Sequence, residues 1–185
     1  MTIEQIISLL RHPNAFTVYR MIATPGIVIL LMFPTKGTTF FATLLFIAAA
    51  VTDFLDGFLA RKRGLVSDLG KVLDPLADKV LVCSSLIMLS NLNWIPGWLV
   101  CLIIAREMSV TGLRGISAEK VDVSATKLGK FKTGFQIAAI IPLLIHYPYF
   151  GIEFHAIGMF FLWIALIFTL WSGVDYFKKF FKAIL

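Results

Sequence analysis

A cluster of acidic residues inside an otherwise apolar chain constrains this sequence more than any other feature. From position 53 the sequence reads D-F-L-D-G-F-L-A-R, then eight residues, then G-K-V-L-D-P-L-A-D-K. Five of the eleven acidic residues of the chain lie here: Asp53, Asp56, Asp68, Asp74 and Asp78. Because apolar runs flank them on both sides, these carboxylates are costly unless a cationic group lies between them.

Helical spacing arranges the carboxylates in two pairs. An arc of roughly 140° on a first helix, at about 100° per residue, carries Asp53, Asp56, Gly57, Ala60 and Arg61. Asp74 and Asp78, at i and i+4, share one face of a second helix. The simplest compensation for two such pairs is a divalent metal ion, which prefers oxygen ligands.

The composition is that of a membrane protein. Of the 185 residues, 58% are hydrophobic and 15% are charged, whereas a soluble domain usually carries about 25% charged residues. We therefore predict one membrane domain over residues 1–185, with no separate soluble domain. Cys83 and Cys101 lie in apolar runs without metal-ligand spacing, so we interpret both as small core residues rather than as a disulfide.

The apolar runs predict an all-α integral membrane protein with six transmembrane helices over residues 14–185, preceded by a short amphipathic surface helix over 1–13. Proline, glycine and polar segments separate the runs. The predicted helices cover about 16–33, 39–61, 72–91, 96–118, 132–147 and 154–177.

The distribution of basic residues predicts the orientation in the membrane. Of the seventeen Lys and Arg residues, only Lys36 falls clearly on the side opposite the others. The positive-inside rule makes the richer side cytoplasmic, with both termini inside. The acidic cluster therefore opens toward the cytoplasm, and Asp53 is expected to face a polar cavity rather than lipid.

Two further polar segments have alternative interpretations. The first helix begins with Asn14, Thr17 and Arg20. These residues either cap the helix, with Arg20 snorkelling to the interface, or form part of a binding site. On the fourth helix, Arg106 and Arg114 could both face one cavity. Alternatively, Glu107 neutralises one arginine in a structural ion pair and the other arginine snorkels. The basic residues of the fourth helix and of the segment that follows it could bind anionic lipid headgroups or a phosphorylated substrate. They are Arg106, Arg114, Lys127, Lys130 and Lys132.

The residue types suit phosphoryl-type transfer. Four carboxylates can hold two divalent cations about 3.5–4 Å apart, which clamp a pyrophosphate and stabilise the leaving phosphate. Gly57 would let a nucleotide approach the helix backbone, and Arg61 would neutralise phosphate charge. One aspartate must remove a proton from the attacking alcohol. A cation transporter is the alternative from another class, but the aspartates cluster on one side and the chain shows no internal repeat.

The pattern D-x-x-D-G-x-x-A-R, eight residues, G-x-x-x-D-x-x-x-D resembles the signature of the CDP-alcohol phosphotransferases. Every fixed position matches, namely Asp53, Asp56, Gly57, Ala60, Arg61, Gly70, Asp74 and Asp78. The resemblance implies six membrane helices, usually two subunits, and transfer of the phosphatidyl group of CDP-diacylglycerol, or of a similar CDP-linked alcohol, to an acceptor hydroxyl with release of CMP.

The resemblance also implies roles for individual residues. Two divalent cations, Mg²⁺ or Mn²⁺, are expected on Asp53, Asp56, Asp74 and Asp78, and Asp78 is the expected general base. The family opens its first membrane helix with a similar P-N-x-x-T-x-x-R, which lines the nucleotide site. The expected CDP-diacylglycerol set is therefore Asn14, Thr17, Asp56, Gly57, Ala60, Arg61 and Ser67.

Within the family, A-R-E-M-S-V-T-G-L-R and K-L-G-K-F-K-T-G-F-Q resemble the stretches of bacterial members that use glycerol 3-phosphate as the acceptor. The five basic residues named above are the candidates for holding its phosphate. Inositol phosphate, serine and phosphatidylglycerol are the alternative acceptors. The expected setting is a homodimer in the lipid of the bacterial inner membrane, with its active site facing the cytoplasm and no nucleic-acid partner.

Overall fold

The computed structural model describes the backbone of residues 14–63, 68–117 and 127–184. Side chains are described for residues 17–52, 76–113, 131–178, 180 and 181. These ranges are helical, with no strand among them beyond an isolated bridge between Tyr149 and Ile152. The prediction of an all-α fold is thereby confirmed, whereas the predicted surface helix over 1–13 lies outside the described residues.

Six helices make up the described chain. They are α1 (Asn14–Met32), α2 (Lys36–Arg63), α3 (Asp68–Asn91), α4 (Gly97–Ser117), α5 (Lys127–Ile145) and α6 (Phe154–Ile184). The largest differences from the predicted bounds occur at polar ends. Helices α3 and α5 begin several residues earlier than expected, at Asp68 and Lys127, and α6 continues past 177 to Ile184. Backbone hydrogen bonding continues there although the apolar run does not, so hydropathy alone misplaces these ends.

Helix α2 begins at a reciprocal threonine cap. The Thr35 amide donates to Thr38 Oγ1 (2.8 Å), and the Thr38 amide donates to Thr35 Oγ1 (3.2 Å). These bonds satisfy amide groups that the first turn of a helix leaves without an intrahelical acceptor. The cap fixes the start of the helix that carries Asp53 and Asp56.

The chain divides after Met88 into two compact units. In the first unit α1 packs along α2, with Ala23, Ile27, Ala42 and Phe46 buried. A Cβ at Gly26 would lie 3.1 Å from Leu45 Cδ2, so the two helices approach closely through small residues.

In the second unit α6 packs against both α4 and α5. A Cβ at Gly158 would lie 2.5 Å from Leu143 Cγ and 2.9 Å from the Leu143 backbone nitrogen. Only glycine permits this crossing of α5 and α6, because both a side chain and a backbone atom stand in the way. Helix α6 is therefore held in place on the side that faces α4 and α5.

Many large apolar side chains remain exposed on the helices, among them Ile22, Phe33, Ile87, Phe160 and Trp171. Within the described residues, one helix is long and apolar enough to cross a membrane, over Phe154–Lys178. Three shorter apolar helical segments cover Thr17–Met32, Lys36–Thr52 and Phe131–Ile145.

The two cysteines differ. Cys83 is buried, as predicted, whereas Cys101 is exposed, so its interpretation as a core residue is wrong. An apolar run does not reveal which side of its helix packs inward, and Cys101 lies on the outward side of α4. Neither cysteine forms a disulfide.

Candidate active site

The backbone places the four predicted metal ligands on two helices, two on each. Asp53 and Asp56 belong to α2, and Asp74 and Asp78 belong to α3. Helix α3 is continuous through Pro75, so Asp74 and Asp78 retain the i, i+4 relation that places them on one face. The helical framework expected from the acidic cluster is therefore present.

Asp78 is the member of this set whose side chain the structure describes. Its carboxylate is 42% exposed and forms an ion pair with Arg20 of α1, through Arg20 Nη1 and Asp78 Oδ1. Arg20 itself is 1% exposed. The snorkelling interpretation of Arg20 is therefore wrong, because the guanidinium lies inside the first unit and bonds to the predicted general base.

The face of α1 that carries Arg20 is polar and buried. Thr17 and Thr24 are both buried, and Thr24 Oγ1 donates to the Arg20 carbonyl (2.9 Å). Thr17, Arg20 and Thr24 follow the i, i+3, i+7 spacing of one helical face. Thr17 thus lies on the same inward face as the cation that holds Asp78.

In the second unit, the buried carboxylate of Glu107 joins a buried lysine and a largely buried arginine. Lys132 Nζ and Arg106 Nη1 both donate to Glu107 Oε1, the latter at 3.2 Å. The side chains of Arg106, Glu107 and Lys132 are 11%, 10% and 6% exposed. The group carries one net positive charge. Arg106 and Lys132 are two of the five basic residues predicted to hold an acceptor phosphate, and the structure brings both to the same oxygen atom of Glu107.

Helix α6 supports Arg106 from the other side. Arg106 Nη2 donates to Ser172 Oγ (2.8 Å), and Ser172 Oγ donates in turn to the Thr169 carbonyl (3.1 Å). A Cβ at Gly173 would lie 3.1 Å from Arg106 Cγ, so the arginine stem lies against the α6 backbone. Sequence reasoning missed both residues, although the pair Ser-Gly inside an apolar, aromatic helix was the available signal.

One turn beyond Lys132, Gln136 is a further buried polar residue that the sequence analysis did not select. It is 3% exposed, and its Nε2 has no hydrogen-bond acceptor among the described residues. Lys132 and Gln136 are spaced i, i+4 on α5, so the polar stripe of this helix extends past the lysine.

The other predicted site residues are located by their helices or not at all. Asn14 is the first residue of α1, and Ser67 lies outside the described chain. Backbone positions, but not side chains, are described on α2, α3, α4 and α5 for Asp53, Asp56, Gly57, Ala60, Arg61, Asp74, Arg114, Lys127 and Lys130. Their predicted roles stay predictions.

The chemistry of the donor set fits a divalent metal. Mg²⁺ and Mn²⁺ take carboxylate oxygens, and two helices each carry two aspartates at one-turn spacing. Asp78 is half-exposed and therefore accessible to a ligand. Among the described side chains, no three acidic, histidine or cysteine residues lie together in a way that could hold a metal ion. The side chains of Asp53, Asp56 and Asp74 are not among those described.

The sequence model of the CDP-alcohol phosphatidyltransferases matches residues 10–171, which is most of the chain. The protein belongs to this family, as its aspartate motif predicted. The match covers all four aspartates, Arg20 and the Glu107 group.

Individual relatives are similar to this chain over most of its length. A protein of Bacillus subtilis (strain 168) is 46% identical over 76% of this chain and 74% of its own length. One of Rickettsia typhi is 39% identical over 90% of this chain and 94% of its own, and one of Escherichia coli (strain K12) is 37% identical over 89% and 91%. All three are named CDP-diacylglycerol–glycerol-3-phosphate 3-phosphatidyltransferase.

Proposed function

We propose that this protein transfers the phosphatidyl group of CDP-diacylglycerol to glycerol 3-phosphate, giving phosphatidylglycerophosphate and CMP in anionic phospholipid biosynthesis. The observation that carries the proposal is the similarity to the relatives named for this reaction, which extends over three quarters or more of the chain. The buried pair of Arg106 and Lys132 supports it, because an acceptor that carries a phosphate needs fixed positive charge.

The chemical step needs a base for the acceptor hydroxyl. We assign this role to Asp78, which accepts the proton of the primary hydroxyl of glycerol 3-phosphate. The hydroxyl oxygen then attacks the phosphatidyl phosphorus, and the bond from that phosphorus to the CMP oxygen breaks. The Asp78 carboxylate is held by Arg20 and is 42% exposed, so a substrate hydroxyl can reach it.

The acceptor phosphate is assigned to the basic residues of α4 and α5. Arg106 offers a planar guanidinium and Lys132 offers an ammonium group, and both suit a phosphate dianion. Arg114, Lys127 and Lys130 remain candidates for further contacts from the same two helices. The lipid-headgroup interpretation of these residues is less favoured for Arg106 and Lys132, because both are buried.

Two divalent cations, Mg²⁺ or Mn²⁺, would be held by Asp53, Asp56, Asp74 and Asp78. When bound, they would neutralise the pyrophosphate and stabilise the leaving phosphate oxygen. The CDP moiety is assigned to Asn14, Thr17, Asp56, Gly57, Ala60, Arg61 and Ser67. Burial of Thr17 on the face of α1 that carries Arg20 supports this assignment.

We further propose that the helices form a single six-span membrane domain in the bacterial inner membrane, as a homodimer with the active site facing the cytoplasm. The exposed apolar side chains on the helices support insertion in lipid. The excess of basic residues on one predicted side supports the orientation. The long apolar α6 and the three shorter apolar segments supply four of the six proposed spans, within the residues that the structure describes.

The deciding experiment measures CMP release by the purified protein with CDP-diacylglycerol and Mg²⁺ or Mn²⁺. Glycerol 3-phosphate is compared with inositol phosphate, serine and phosphatidylglycerol. We expect release that requires glycerol 3-phosphate and stops when EDTA removes the metal. Release with another acceptor instead would retain the family chemistry and refute the acceptor. Release that persists in EDTA would refute the metal sites.

A further inference from the structure

The cations assigned to the acceptor phosphate are held by residues that have no assigned part in binding. Glu107 Oε1 accepts hydrogen bonds from both Arg106 and Lys132. Side by side in a buried setting, two cations repel each other, and a shared carboxylate oxygen fixes them close together. The group keeps one positive charge in excess, so it retains attraction for an anion.

A second set of contacts fixes the guanidinium from α6. Ser172 Oγ accepts a hydrogen bond from Arg106 Nη2 and donates its own to the Thr169 carbonyl, so the orientation of the hydroxyl is fixed. Gly173, the next residue, leaves the space in which the Arg106 stem lies. Arg106 is therefore constrained at two of its terminal nitrogens and along its stem.

We propose that Glu107, Ser172 and Gly173 are positioning residues, which set the spacing of the Arg106 guanidinium and the Lys132 ammonium for the acceptor phosphate without touching it. This inference rests on the proposed function, because it takes that phosphate as the ligand. A rigid, correctly spaced pair of donors binds phosphate more tightly than two mobile donors, because no side-chain conformational entropy is lost on binding.

Glu107→Gln separates positioning from simple attraction. Glutamine keeps the shape of the side chain and removes its charge, so the net positive charge of the group rises by one. If attraction alone mattered, the KM for glycerol 3-phosphate would fall. Positioning predicts the opposite, a rise of about tenfold, because the shared anchor of both cations is lost. The KM for CDP-diacylglycerol should stay within about twofold, which a general loss of structure would not allow.

Gly173→Ala tests the same inference with every charge in place. The added Cβ would lie 3.1 Å from Arg106 Cγ and 3.5 Å from Arg106 Nε, so the stem must shift. We expect the KM for glycerol 3-phosphate to rise about tenfold. Gly112→Ala is the matched control on α4, because a Cβ there meets nothing within 4 Å. It should leave both KM values unchanged.

The outcomes are distinct. Suppose that the wild-type protein uses glycerol 3-phosphate, and that Gly173→Ala and Glu107→Gln both leave the KM for glycerol 3-phosphate unchanged. This result would overturn the positioning role alone. Equal losses for both substrates, or a lowered KM in Glu107→Gln, would also overturn it. Wild-type protein that releases CMP only with an acceptor lacking phosphate would overturn the proposed function and this inference together. If Glu107→Gln does not fold, Gly173→Ala decides.

Discussion

Each of the two units of this protein contains a group of ion-paired side chains, and the charges in the two groups are arranged in opposite ways. In the first unit a fully buried cation, Arg20, holds a half-exposed carboxylate, Asp78. In the second unit a buried carboxylate, Glu107, holds two buried cations, Arg106 and Lys132. The first arrangement presents an anionic oxygen, and the second retains a net positive charge.

The difference supports a different proposed ligand for each group. A carboxylate that is held by a guanidinium but remains partly exposed suits a metal ion or a proton. Two cations on one buried carboxylate suit an anion with several oxygens, such as a phosphate. We therefore infer that Arg20 holds Asp78 in the first unit, that Glu107 holds Arg106 and Lys132 in the second, and that neither of these holding residues contacts the ligand. The predictions below test this comparison.

The largest effect is expected at Asp78. Asp78→Asn keeps the size of the side chain and removes both the proton acceptor and a metal-binding charge. The rate of CMP release should fall by about 10²–10⁴-fold, which is the range that general-base catalysis contributes. Glu153→Gln, at an exposed acidic position, is the matched control and should retain full activity. Near-normal turnover of folded Asp78→Asn protein would contradict the assignment of the base.

Lys132→Met tests the cationic group. Methionine preserves much of the apolar stem, and Glu107 keeps its bond to Arg106, so the buried carboxylate is not left without a partner. Loss of a hydrogen bond to a charged ligand costs about 1.5–3 kcal/mol, and the KM for glycerol 3-phosphate should therefore rise about 10–100-fold. The KM for CDP-diacylglycerol should change little.

Lys36→Met supplies the comparison for this variant. Lys36 is exposed at the start of α2 and should be replaceable without effect on either KM. An unchanged KM for glycerol 3-phosphate in Lys132→Met would instead show that Lys132 does not bind the acceptor phosphate.

The strengths of the two ion pairs should also differ. Double-mutant cycles on unfolding free energy isolate each pairing energy. For Lys132→Met with Glu107→Gln we expect a coupling of about 2 kcal/mol, because both partners are buried. For Arg20→Met with Asp78→Asn we expect about 1 kcal/mol or less, because solvent reaches Asp78. Equal couplings would show that exposure of Asp78 does not distinguish the two groups.

The sequence predicts the aspartate pairs more readily than the ion pairs between helices. The aspartate pairs follow from spacing along single helices, which the residue order contains directly. The bond from Arg20 to Asp78 joins positions 58 apart, and that from Arg106 to Ser172 joins positions 66 apart. Such contacts depend on which helices pack together, and apolar runs do not specify this. The predictions for Cys101 and Arg20 fail for the same reason, because the face of a helix that packs inward depends on its neighbouring helices.

The smallest predicted effect lies outside both groups, in the turn between α5 and α6. His146 stacks on Trp94, with ring centroids 3.6 Å apart, and lies 5.1 Å from His155. Burial, and secondarily the charge of His155, lower the pKa of His146 below its usual 6.5. The unfolded chain therefore binds a proton at this position more readily than the folded protein does.

Stability contributed by neutral His146 should consequently be complete above about pH 6.5 and decline as the pH falls toward the lower pKa of the folded state. Thermal unfolding between pH 5 and pH 8 measures this. His146→Phe retains an aromatic ring against Trp94 and should flatten the profile in that window. His155→Phe should flatten it only in part, because it removes the neighbouring charge but leaves His146 buried. A wild-type profile that rises on acidification would show that the folded protein stabilises His146 in its charged form, which contradicts the prediction.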